Sequence, residues 1–115
     1  MYDLEMKQDF VVLVGKEVIG QREALEICNK VDRVTGKGVR KILVDVREVD
    51  LNASKFDILI NHIASLQVDK IALVLDGLIS KFKFGLWSRK YKPEIKIRQF
   101  EEFESAEGWL IEGGN

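Results

Sequence analysis

The chain has one cysteine and one histidine in 115 residues, and each scarcity removes a class of chemistry. Cys28 alone cannot form an internal disulfide, so a reducing, cytoplasmic setting is expected. His62 alone excludes histidine-rich metal sites and weakens any histidine-based catalysis. Charge of one sign is lacking too. Eighteen basic residues against nineteen acidic give a net charge of -1, without the basic excess of a general nucleic-acid binder. No apolar run approaches the roughly 20 residues needed to cross a bilayer. The segment Met1-Tyr2-Asp3-Leu4-Glu5 has no basic stretch leading into an apolar core, so no targeting signal is read there.

What is present has the make-up of one soluble globular domain over residues 1–115, 46% hydrophobic and 32% charged. Three segments, 10–14, 42–46 and 71–75, are continuous β-branched-rich runs, the pattern of central strands buried on both faces. Segments 2–6 and 95–98 alternate apolar with polar residues, as half-exposed edge strands do. The Gln8-Asp9 step suits a tight antiparallel hairpin. Helical spacing predicts helices over 21–34 (Ala24, Ile27, Cys28, Val31, Val34), over 54–66 (Phe56, Leu59, Ile60, Ile63), from Leu78 to before Pro93, and around Phe103, Ala106 and Leu110. Gly36-Lys37-Gly38 should stop the first, and Glu101, Glu102 and Glu104 suit the start of the last. The order ββαβαβαβα predicts an α/β fold: a single mixed, mostly parallel five-stranded sheet with four helices.

Sites in open α/β sheets gather at the carboxyl ends of parallel strands. Asp45, Asp50 and Asp76 fall there as a candidate strand-end loop site. Aspartates at such positions also simply start turns. No G-x-G-x-x-G, Walker loop or G-x-S-x-G elbow occurs, so no catalytic residue, metal site or cofactor is expected, and the chain reads as non-enzymatic. Ser54 precedes an apolar helical stripe in a Ser-x-x-Asp arrangement. It is expected to cap that helix, and it is also a candidate phosphorylation site.

The near-neutral total hides a segregation. Between Leu78 and Arg98 there are seven basic residues and one acidic, followed by five glutamates with no basic residue. On a helical wheel Phe84, Trp87 and Tyr91 gather, interleaved with Lys83 and Lys90, on a side distinct from Leu78, Ile79, Phe82 and Leu86, and Lys83, Arg89 and Lys90 are candidate contacts for an anionic head group. That second stripe is a candidate ligand or interface surface: another element of the core, a second subunit, a lipid or a membrane surface.

The run Lys41-Ile42-Leu43-Val44-Asp45-Val46-Arg47-Glu48-Val49, with Lys70-Ile71-Ala72-Leu73-Val74-Leu75-Asp76 and the ending Ile95-Lys96-Ile97-Arg98-Gln99-Phe100 … Ala106-Glu107-Gly108-Trp109-Leu110, resembles the SpoIIAA-like branch of the STAS superfamily. That branch comprises sporulation anti-anti-sigma factors and their relatives, and shares its fold with CRAL-TRIO lipid-binding domains. The resemblance implies a regulatory or protein/ligand-binding module acting through a protein partner or self-association. The alternative it implies is a small lipid- or apolar-anion-binding, membrane-associating domain. Of the family's Asp-Ser-Ser-Gly regulatory loop only one serine, Ser54, has a counterpart in Ala53-Ser54-Lys55-Phe56.

Overall fold

Apolar side chains on both sides of three neighbouring strands demand cover on both sides, and the architecture supplies it. The computed structural model describes residues 1–7, 9–51, 53–66, 68–76 and 96–111. Its elements are β1 (Tyr2–Met6), β2 (Val11–Glu17), α1 (Gln21–Thr35), β3 (Lys41–Val49), α2 (Phe56–Ser65), β4 (Lys70–Val74), β5 (Lys96–Phe100) and α3 (Phe103–Ile111). They form one five-stranded sheet in the order β1-β2-β3-β4-β5. β1 is antiparallel to β2, and the remaining neighbours are parallel. This is the expected mixed α/β sheet, with the two alternating segments as its edges. Three helices are described; the one expected to start at Leu78 lies outside the described residues.

The two faces are separated by strand periodicity. Val11 and Leu13, Ile42, Val44 and Val46, and Ile71 and Leu73 point to the side covered by Ala24, Ile27, Cys28 and Val31 of α1 and Leu59 and Ile63 of α2. Val12, Leu43, Ala72 and Val74 point the other way, onto Ala106 and Leu110 of α3. Phe10, just before β2, joins that second cluster.

Element boundaries differ from the sequence expectation where backbone geometry intervenes. β2 runs past Val14 to Glu17 because a register shift between Val14 and Lys16 carries it on alongside β3. The hairpin before it is closed by Lys7 N–H donating to Phe10 O at 2.9 Å. Gly38 turns the chain out of α1 toward β3 at φ +100, a conformation that costs glycine no steric clash. α2 begins at Phe56, two residues later than the expected start at Ser54, because Ser54 is engaged elsewhere.

Gly15 sits at the β2 bulge, where a Cβ would lie 2.7 Å from Val49 Cγ2 and 2.8 Å from Ile19 Cδ1. Ile19 is fully buried, and the short β-branched side chain of Val49 has little freedom to turn away, so neither neighbour yields cheaply. Gly15→Ala should therefore destabilise the fold by about 1–3 kcal/mol. Urea unfolding would register this as a lower midpoint at unchanged slope; an unchanged midpoint would show that the bulge has room.

Candidate functional site

The carboxyl ends of β2 and β3 are laced together by backbone and hydroxyl bonds. Glu17, at φ 59, turns the chain away from the sheet, and its carbonyl accepts Asp50 N–H at 2.6 Å. Two residues on, Ile19 N–H donates to Ser54 Oγ at 2.9 Å, and Ile19 O accepts Lys55 N–H at 2.8 Å. Ser54 Oγ in turn donates to Asp50 O at 2.6 Å. One half-buried hydroxyl thus clasps the β2–α1 loop to the β3–α2 loop. The expected helix cap is corrected: Lys55 occupies the N-cap position of α2 and no side chain caps it. The Ser54 oxygen is spent on Ile19 instead. Its proton goes to a backbone carbonyl, and no imidazole or carboxylate takes it, so the group is arranged as a clasp rather than an activated nucleophile.

The three aspartates take separate environments. Asp45 belongs to β3 itself rather than to a strand-end loop, and is 5% exposed. Arg47, on the same side two residues along, meets it with Nη2 to Oδ2 at 2.8 Å and Nε to Oδ1 at 3.0 Å, and the Arg47 N–H adds a third bond at 3.1 Å. That fork holds the Arg47 guanidinium above its ordinary pKa; its partial burial opposes the shift, while Asp45, Glu104 and Glu48 reinforce it. Asp50 Oδ1 accepts Ala53 N–H at 3.1 Å in the following turn, and Asp76 is exposed beyond β4. Among the described residues no group of three His, Cys, Asp or Glu side chains is placed to hold a metal ion. Arg47 went unrecognised in the sequence, although its two-residue spacing from Asp45 in a strand places both on one face. Ile19 left no signal there, because its role is played by its backbone.

Cys28 is buried in the α1 stripe, and burial, followed by the nearby Asp32 charge, pushes its thiol up. His62 Nε2 meets Asp32 Oδ1 at 2.7 Å, tying α2 to α1. Beside this pair, Leu25, Cys28, Ile58 and His62 line an open groove of about 650 Å3. A second groove of about 610 Å3 runs between β1 and α1, past Tyr2, Leu4, Lys30 and Val34. The Tyr2 phenol bonds to Glu26, and Lys30 Nζ donates to it at 2.8 Å. Burial and the Glu26 bond push that phenol up. At the opposite end of the sheet Lys41 Nζ donates to Leu110 O at 2.9 Å, satisfying a carbonyl in the last turn of α3. Lys83, Phe84, Trp87, Arg89, Lys90 and Tyr91 lie outside the described residues. No helix of the described residues is long and apolar enough to cross a membrane.

A mixed sheet in this order, with α1 and α2 on one face and α3 on the other, is a SpoIIAA-like fold. No family model and no curated protein sequence matches the chain. Among solved structures it is similar to an uncharacterized DUF3478-family protein with a SpoIIAA-like fold from Shewanella loihica PV-4. That match has a TM-score of 0.69 at 16% identity and covers 96% of this chain and 92% of that one. It is also similar to the anti-sigma factor antagonist SpoIIAA in its unphosphorylated form, with a TM-score of 0.71 at 12% identity over 98% and 99% of the two chains. The Bacillus cell fate determinant SpoIIAA in its phosphorylated form matches with a TM-score of 0.61 at 12% identity over 93% and 97%. At these identities the likeness establishes the fold.

Removing the Ser54 hydroxyl orphans the Ile19 N–H within a packed loop. Ser54→Ala is therefore expected to cost about 1–3 kcal/mol and to speed amide exchange at Ile19 and Asp50. Exchange as slow as in the unmodified chain would show that the clasp holds nothing.

Proposed function

We propose that this chain is a STAS-type regulatory module, a single non-enzymatic cytoplasmic domain that works by binding a protein partner. Its working face is formed by the loops that follow β2 and β3. The observation that carries this reading is the Ser54 clasp, since one hydroxyl takes an amide from one loop and gives its proton to the other. A phosphoryl group on Oγ takes the place of the proton that Asp50 O now accepts and brings up to two negative charges into the loop that carries Asp50. Both loops then rearrange together, while the sheet beneath them is held by its own core. A kinase brings its own base, so the absence of one beside Ser54 is no obstacle to phosphorylation. The SpoIIAA-like fold supports the same reading, because a neighbour of that fold is described as an anti-sigma factor antagonist and another is described in a phosphorylated form. Asp45 and Arg47 support the face from within as an ion pair, and Asp50 acts through its turn. The reading of a lipid or apolar-anion site rests on Phe84, Trp87, Tyr91 and the lysines and arginine among them, all outside the described residues.

Ser54→Asp should keep the fold, with a far-UV spectrum like that of the unmodified chain. In quantitative pulldowns it should lose, by about tenfold or more (1.4 kcal/mol or more), a protein that the unmodified chain captures, and Ser54→Ala, which opens the clasp without adding charge, should fall between the two. Identical capture by all three would remove Ser54 as a switch.

A further inference from the structure

The two outer strands carry opposite charge on the same side of the sheet. Asp3 and Glu5 share the α3 side of β1, because their register partners Val14 and Val12 point there. Lys96 and Arg98 share that side of β5, opposite Lys70 and Ala72 of β4. All four side chains are exposed, and among the described residues none of them forms an ion pair. Lys96 also ends a row in which Lys41, Lys70 and Lys96 stand side by side across three strands. Lys41 is paired with Asp9, and Lys70 lies over the Trp109 ring at 5.0 Å. An acidic partner for Lys96 would relieve the like-charge contact that remains.

The backbone edges match as well. Lys7 N–H donates to Phe10 O, and Met1 O accepts Lys16 N–H, so the odd-numbered residues of β1 bond to β2. Tyr2, Leu4 and Met6 therefore direct their N–H and C=O groups outward. On β5, Lys96 N–H donates to Asp69 O and Phe100 O accepts Leu75 N–H, so Lys96, Arg98 and Phe100 face β4. Ile97 and Gln99 direct their groups outward. Among the described residues no strand pairs with either outer side.

We propose that β1 of one copy pairs antiparallel with β5 of a second copy of this chain, continuing the sheet from molecule to molecule. With Leu4 opposite Ile97 and Tyr2 opposite Gln99 as the hydrogen-bonded pairs, Asp3 falls opposite Arg98 and Glu5 opposite Lys96. Those are the non-hydrogen-bonded positions, where facing side chains come closest. A shift of two residues in either direction leaves one opposite-charge pair in place of two. Centred pairing of β1 with β1 sets Asp3 against Glu5, and centred pairing of β5 with β5 sets Arg98 against Arg98, so like edges repel. Because β1 alone runs antiparallel to the rest, the incoming β5 lies parallel to β2, and both copies keep the same orientation and the same two faces. The contact is heterologous and propagates head to tail.

The interface is small, so association is expected at high concentration and low ionic strength. Sedimentation velocity up to about 1 mM should show the average mass at least doubling, and falling back to that of one copy in about 1 M salt, where the screening length is roughly 3 Å. Asp3→Lys/Glu5→Lys and Lys96→Glu/Arg98→Glu should each stay at the mass of one copy. An equimolar mixture of the two should recover association, because basic β1 then meets acidic β5 and the reverse. The milder Asp3→Asn/Glu5→Gln change, which leaves the edge without reversed charge, should weaken association about 2- to 30-fold. A single-copy mass for the unmodified chain throughout, association of either reversed variant equal to the unmodified chain, or a mixture that stays dissociated would each overturn the proposal.

Discussion

Burial of β2, β3 and β4 on both faces is the constraint from which the other features follow. A strand with apolar residues at successive positions cannot turn one side to water, so helices must lie above and below it. α1 and α2 take one side and α3 the other. Polar side chains are then left with the strand ends, the edges and the outer helix surfaces. Asp45 is the exception inside β3, and it is tolerated because three donors from Arg47 answer its two oxygens. A buried carboxylate without them would face a desolvation cost of several kcal/mol. Lys70, at the other end, is also largely buried, and burial and then the neighbouring Lys41 and Lys96 push its pKa down.

The β2 bulge turns that constraint into a loop site. Gly15 lets Val49 and Ile19 approach the strand, Glu17 takes a left-handed conformation, and Ile19 drops back into the core as a fully buried residue. Its side chain fixes where its amide and carbonyl lie. Those two groups are what Ser54 and Lys55 bind, so the position of the serine is set by packing below it rather than by the helix that follows. A loop held by a few hydrogen bonds over a rigid sheet is the part of a domain that can move without unfolding it.

Hydrophobic periodicity is a signal of burial, and the parts of the fold governed by burial were legible in the sequence. The three continuous runs became the central strands, the alternating segments became the edges, and Cys28 and Val31 lie on the buried stripe that their spacing indicated. Ser54 was visible as a residue of interest, but Ser-x-x-Asp reads as a cap only if the helix starts at once. The competing amide of Ile19, 35 positions away, has no local signature. Asp45 looked like a strand-end residue because its charge interrupts an apolar run, yet β3 continues for four more residues to Val49. A side chain that compensates a charge in a strand stands two positions away and adds nothing to the hydrophobic pattern. Asp32 and His62 are distant in sequence for the same kind of reason: interhelical contacts depend on how α1 and α2 cross, which is decided by the sheet.

The charge of -1 gains a spatial meaning from the sheet order. Edge strands offer unpaired amides and carbonyls, and exposed charge is a common means of keeping such edges from pairing at random. An acidic β1 and a basic β5 repel their own kind equally well, but they do not repel each other. In the interior strand β3, Arg47 and Asp9 neutralise Asp45 and Lys41 within the chain. The edge charges lack such internal neutralisation among the described residues. Arg98 lies over the Phe100 ring at 5.4 Å, a contact that leaves its charge in place. A sequence with balanced totals can therefore be strongly polarised across its sheet, from one edge to the other, and that polarity is invisible until the strand order is known.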